Sequence, residues 1–195
     1  AQIHHTNEIA QSEGAFGKKP WVKYWLHNEF LINSGGKMSK SSGEFLCLKN
    51  LEEKGYSALD YRYFCLGTLY RNPLMFSLDA LEGARNSRKK LFDRVIDLKK
   101  SKHGKDNKKA RKKYLERFTK EINDDLNTPK TLATMWEMLK DNIQDHDKLF
   151  LLFEFDKIFG FNLGNLEKEE ISEEVKKLAE ERVEARKKKD WKKSD

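Results

Sequence analysis

WVKYWLHNEFLINSGGKMSKSSG, residues Trp21 to Gly43, is where the chain changes character. Trp21–Ile32 is dense in aromatic and branched residues, with Trp21, Val22, Tyr24, Trp25, Phe30 and Ile32 among them. That composition predicts a strand or a pair of strands. Asn33-Ser34-Gly35-Gly36 follows as a turn, and Lys37–Gly43 continues it as a loop. Three glycines and four serines fall between Asn33 and Gly43, so a mobile loop is expected. Beyond Gly43 the strand signal all but vanishes.

On the N-terminal side, residues 4–15 predict a short helix, ended by Gly17 and a Gly-Lys-Lys-Pro turn. On the other side almost everything reads as helix. Leu48–Lys54 stops at Gly55. Ser57 caps the next helix, with Asp60 at its third position, and that helix runs to Tyr70. Arg71-Asn72-Pro73 breaks it. Ser77 caps a long helix with Leu78, Leu81, Ala84, Leu91, Val95 and Leu98 on or near one stripe. Lys99–Lys113 holds nine Lys or Arg against one Asp and predicts an exposed linker. Tyr114–Leu126 is amphipathic again. Thr128 as cap and Pro129 as first helical residue open another helix, with Leu132, Met135, Trp136 and Leu139 on its apolar face. Leu149–Ile158 is strongly apolar, residues 160–165 form a loop, and Ser172 caps a charged final helix that leads into the basic tail Arg186–Lys193. The expected fold class is mainly α. A short α/β piece extends to about residue 46, a connector spans 47–76, and a helical part with a basic tail spans 77–195.

Bulk properties narrow the classes of function. The 195 residues carry a net charge of +7, which suits a polyanionic partner without requiring one. Cys47 and Cys65 form neither a CxxC pair nor a disulfide framework. Both are expected to be buried free thiols in a reducing compartment. No apolar run approaches the roughly 20 residues of a membrane span, and AQIHHTNEIA is no signal peptide. A cytoplasmic protein is expected, and the abrupt start implies a further part upstream.

Three groups of residues can carry chemistry. His4 and Glu8 lie four apart and so share a helix face, a spacing that suits two ligands of one Zn²⁺. The competing explanation is a polar helix start. Lys37 and Lys40, three residues apart on a flexible loop after a strand, can close over a triphosphate and stabilise charge building on departing pyrophosphate. A solvated basic loop is the competing explanation. In Tyr24-Trp25-Leu26-His27-Asn28, polar residues can line a nucleotide pocket at a sheet's end, with Trp25 read as packing and His27 left open. The runs Lys99–Lys113 and Arg186–Lys193 can meet phosphates, although a solvated charged face is commoner. Trp191 can stack on a base or dock the tail.

Taken together these motifs resemble those of the cysteinyl-tRNA synthetases, a family of class I aminoacyl-tRNA synthetases. His4–Glu13, HHTNEIAQSE, is similar to the family's HHxNEIAQSE signature, and Tyr24–Asn28 to its YWxHN strand. Lys37–Ser41 matches KMSKS letter for letter. Asp60–Tyr70 with Arg71 and Pro73, Asp124–Pro129 and Ala185–Trp191 resemble later segments, in order. KMSKS is common to many class I synthetases, and HHxNE is what points to cysteine.

The resemblance implies a C-terminal remnant of a Rossmann-like α/β catalytic domain over residues 1–46, a stem-contact connector over 47–76, and a helical tRNA-binding bundle over 77–195. It implies ATP-dependent attachment of cysteine to tRNA(Cys) through cysteinyl-adenylate, by a monomer that uses ATP with Mg²⁺. It also implies one Zn²⁺ per subunit, held by His4, Glu8 and two cysteines upstream of the chain. A metal with a soft sulfur ligand separates cysteine from serine. Lys40 is the implied ATP contact and Lys37 its helper. Met38, Ser39 and Ser41 complete the ATP-binding loop, with His27 beside it. The family's HIGH-type motif is absent from these residues, so the chain alone is expected to be inactive. Two other readings stand beside this one: a cysteine ligase paralogue with an amino-sugar acceptor, and a non-catalytic tRNA-binding module.

Overall fold

The computed structural model describes residues 4–33, 36–37, 47–101, 104, 106–167 and 173–187. Helix α1 (His4–Phe16) stops where Gly17 takes φ of +62°, a left-handed conformation that side chains resist. The chain then runs without regular structure to β1 (Leu31–Asn33). β1 pairs antiparallel with β2 (Gly36–Lys37), Ile32 opposite Lys37. On its other side it pairs parallel with β3 (Leu74–Met75), Leu31 opposite Leu74. The result is a three-stranded sheet in the order β2-β1-β3.

The strand expected over Trp21–Ile32 is therefore realised only at its end. Composition favours extended backbone there, but a strand also needs a ladder partner. Tyr24, Leu26 and Phe30 are exposed.

Helices α2 (Leu48–Glu53) and α3 (Ala58–Leu66) follow. Ser57 and Asp60 form the expected reciprocal cap: Asp60 N–H donates to Ser57 Oγ at 3.3 Å, and Ser57 N–H donates to the Asp60 carboxylate at 2.7 Å. α3 ends at Leu66 rather than Tyr70. Gly67 and Thr68 N–H donate back to Phe64 and Cys65 carbonyls, both at 3.2 Å, which tightens and closes the last turn.

Four long helices form the core: α4 (Leu78–Lys100), α5 (Lys108–Asn123), α6 (Thr128–Lys140) and α7 (Asp145–Phe159). Of the basic stretch Lys99–Lys113, Lys99 and Lys100 close α4 and residues 108–113 open α5, so the expected connection between two helices is confined to residues 101–107. Lys and Arg are good helix formers, so the run's charge spoke for solvation and not for chain conformation. Asn107 caps α5 by accepting from Ala110 N–H at 3.0 Å. Asn127, not Thr128, caps α6, accepting from Lys130 N–H at 3.3 Å; Pro129 stands one position further in. α7 begins at Asp145, ahead of the apolar run, because Asp145 and Asp147 in its first turn suit the positive end of the helix. It ends at Gly160 with φ of +67°. A 3-10 turn (Leu163–Asn165) and α8 (Glu173–Lys187) complete the described chain. Ser172, Lys188–Lys193 and Trp191 lie outside the described residues.

Leu91, Val95, Met135, Met138, Leu151, Leu152, Phe155, Phe159, Phe161 and Leu163 are fully buried. Each large side chain among them contributes about 2 kcal/mol by leaving water. Phe118 stacks on Phe155 with ring centroids 4.2 Å apart and meets Phe159 edge-on at 5.5 Å. α3 docks on this core through Tyr63, whose hydroxyl accepts from Trp136 Nε1 at 2.9 Å. The two cysteines are less buried than expected. Cys47 is exposed and Cys65 half-buried, and both are free thiols. Cys47 precedes α2, where a capping residue faces solvent, with Sγ 2.8 Å from Asn50 Oδ1. Among the described residues, no helix is long and apolar enough to cross a membrane.

Candidate functional site

The two N-terminal motifs come together in space. α1 carries His4, His5 and Glu8, and the segment after it folds back along the helix. Trp21 N–H donates to Glu13 Oε1 at 3.3 Å, which ties the returning chain to the C-terminal half of α1. Further along, the His5 ring lies 4.3 Å from Trp25 and 4.9 Å from His27, centroid to centroid. The Trp25 and His27 rings are parallel within 4°, 6.5 Å apart, and Trp21 meets Trp25 edge-on at 6.3 Å. Trp25 does pack, as expected, but against imidazoles and not in an apolar core. His27 joins the same cluster, a short way ahead of β1 in the chain.

His4 and Glu8 share the exposed face of α1 at their four-residue spacing. Glu8 is engaged by its other neighbour: Glu8 Oε2 lies 2.7 Å from His5 Nδ1. Sequence reasoning passed over His5. Its three-residue spacing from Glu8 was the available signal, since i,i+3 residues also meet on a helix.

As a metal site these residues offer one imidazole nitrogen and one carboxylate, both suitable donors for Zn²⁺. They make half of a tetrahedral set. Among the described residues, the one group of three close candidate ligands lies elsewhere, at Asp106, His146 and Asp147. Arg111 already fills that place with its own charge. Its Nη2 is 2.7 Å from Asp106, and its Nε donates to Asp147.

β2 ends at Lys37, the first residue of the KMSKS motif. The backbone of Lys37 lies in β2, paired with Ile32. Met38, Ser39, Lys40 and Ser41 lie outside the described residues. The sheet thus places Lys37 on the strand paired with β1, the strand that follows His27.

The basic helices divide into structural and outward-facing charges. Lys99 Nζ donates to the Gly164 and Leu166 carbonyls, both at 2.7 Å, and so anchors the 3-10 turn. Lys108, Lys109, Lys112, Lys113 and Lys120 on α5 are exposed. Beneath them Tyr114 is buried and donates to Asp141 at 2.6 Å. Burial, then that carboxylate, pushes the Tyr114 hydroxyl up to about 12.

Residues 2–86 match a family described as the class I tRNA synthetase (C) catalytic domain. Across the whole chain there are curated relatives. A cysteine--tRNA ligase of Treponema denticola is 42% identical over an alignment covering 100% of this chain and 45% of its own length. One from Borreliella burgdorferi is 38% identical, covering 99% of this chain and 44% of its own. One from Leptospira interrogans is 36% identical, covering 98% and 45%. The chain spans somewhat less than half the length of these relatives. The likeness takes in the paired motifs around α1, the sheet and the helical bundle together: residues 2–86 are similar to the class I tRNA synthetase (C) catalytic domain, and the whole chain is similar to part of these cysteine--tRNA ligases.

Proposed function

We infer that the protein of which these residues are part activates cysteine with ATP to cysteinyl-adenylate and pyrophosphate, then transfers the cysteinyl group to the 3′ end of tRNA(Cys). The observation that carries this reading is the 42% identity to a cysteine--tRNA ligase over 100% of the chain, catalytic motifs and bundle alike. Lys37 and Lys40 would contact the triphosphate, with Mg²⁺, and neutralise the charge that grows on pyrophosphate as the α-phosphate is attacked. Met38, Ser39 and Ser41 would complete the ATP-binding motif, and His27, ahead of β1 in the chain, would be a further ATP contact. His4 and Glu8 would hold a Zn²⁺, which when bound supplies a thiol-selective site for cysteine. His5 keeps Glu8 in place from the Trp25 side. The exposed lysines of α5 offer a surface for tRNA phosphates. Residues 1–46 serve the catalytic domain, 47–76 the stem contact, and 77–195 the tRNA-binding bundle, in a cytoplasmic monomer.

The test separates the two sites in the whole protein. Lys40→Ala should slow cysteine-dependent ATP–pyrophosphate exchange by about 100-fold and leave bound zinc unchanged. His4→Ala should lower zinc content and let serine compete. Unchanged zinc in the His4 variant would remove His4 from the ligand set, and unchanged exchange in the Lys40 variant would remove the loop from the reaction.

A further inference from the structure

Between α5 and α6 the backbone does something costly. Asp125 and Leu126 both take φ of +55°, a region that L side chains avoid and that a leucine in particular rarely occupies. Two non-glycine residues in succession there imply that the turn is held for a reason. The turn is braced from within: Leu126 N–H donates to Ile122 at 3.0 Å, and Thr128 N–H to Leu126 at 2.7 Å.

What the strained turn accomplishes is the placement of one carboxylate. Asp125 Oδ1 accepts from Tyr70 Oη at 2.6 Å and from Arg71 Nη2 at 3.1 Å, while its Oδ2 accepts from Arg71 Nε. The guanidinium thus grips both oxygens, a geometry that fixes orientation as well as distance. These hydrogen bonds, from Arg71 and then Tyr70, hold the Asp125 carboxyl below the usual carboxylate range.

The other side of the same short segment holds the sheet. The Tyr70 carbonyl accepts from Glu29 N–H at 2.8 Å; Leu74 N–H donates to Phe30 at 2.9 Å, and Phe76 N–H to Ile32 at 2.7 Å. Residues 70–76 therefore form a strap with one edge on β1 and the other on the α5–α6 turn. Behind the strap lies a cavity of about 300 Å³, walled by Leu26 and Leu31 from the sheet side, Leu74 from the strap, Leu69 just ahead of it, and Leu126 from the bundle. An apolar gap of that size does not define an orientation; close packing would. The polar clasp does so instead.

We propose that Tyr70, Arg71 and Asp125 are positioning residues that set the helical bundle against the sheet carrying the KMSKS loop. They serve the transfer of the aminoacyl group to tRNA and not the activation of cysteine. The assignment of these two steps rests on the function inferred above. Asp125 and Arg71 are about half exposed or more, at 51% and 66%, and exposed ion pairs add little to global stability. Removing one should leave the fold intact and loosen only the joint.

The experiment uses the whole protein with Asp125→Ala, Arg71→Ala and the double variant. Cysteine-dependent ATP–pyrophosphate exchange should stay within about twofold of wild type. kcat/KM for tRNA cysteinylation should fall about tenfold or more in each single variant, with no further loss in the double. Asp125→Asn, which keeps an acceptor for Tyr70, should fall between. Equal loss of both activities, or loss of neither, would overturn the proposal. Amide hydrogen exchange gives a readout independent of catalysis. In Asp125→Ala, protection should drop at Glu29 and Leu74–Phe76 as well as at residues 124–131, with α4 and α7 unchanged. A drop confined to the turn would also overturn it. A wild-type protein that activates no cysteine would instead count against the inferred function, with the joint still decided by hydrogen exchange.

Discussion

Asp60 is 1% exposed, and its carboxylate accepts from Arg88 Nε at 2.6 Å. Burial pushes its pKa up, but the Ser57 N–H and the Arg88 guanidinium outweigh that and hold it below the ordinary value. The folded protein thus binds this proton more weakly than the unfolded chain does. The stabilisation is fully present above the unfolded pKa of about 3.9 and is lost as pH falls through the lower folded value. Asp60→Ala should cost about 3 kcal/mol at pH 7 by urea denaturation, because it strands Arg88. Asp60→Asn should flatten the loss of stability in the acid range; an unchanged acid profile would show that Asp60 does not govern it. Half of this was legible in the sequence. Ser57 and Asp60 stand at capping-box spacing, so their local bond was readable. Arg88 lies 28 residues on, and nothing local links it to Asp60. The same divide separates His4 and Glu8, whose shared face follows from helix geometry, from the contact of His5 with Trp25, which required the chain to fold back.

At the scale of elements, the apolar stripes were the reliable guide. Leu81, Ala84, Leu91, Val95 and Leu98 are all buried on α4, as their spacing predicted, while Leu78 in its first turn is exposed. Charge was the poor guide. Lys and Arg dominate residues 99–113 because those side chains meet water, yet both ends of the stretch, 99–100 and 108–113, belong to helices. Arg111 turns inward to Asp147, which is wholly buried. The start of α6 was misplaced by one residue, since Asn127 and Thr128 are both good caps and only geometry selects between them. Asn127→Ala should destabilise the protein by about 1 kcal/mol, read from the urea midpoint. Thr128→Ala should cost less through capping, and the reverse order would return the cap to Thr128.

For the molecule as a whole, the mainly helical class followed from the loss of the strand signal after Gly43. The sheet did not. β3 is Leu74–Met75, two residues just past a proline, too short for any periodic signal, and its parallel pairing with β1 is a long-range event. The KMSKS motif is a distinctive run of five letters, readable as such, whereas the partners of its residues belong to tertiary structure. The central proposal is that the whole protein joins cysteine to tRNA. The most direct measurement is cysteinylation of tRNA(Cys) by the whole protein with ATP, run against serine and against an amino-sugar acceptor. The account predicts a cysteinyl ester on tRNA, strict preference for cysteine, and no transfer to the sugar. Cysteine-dependent pyrophosphate exchange with transfer to the sugar and none to tRNA would contradict it.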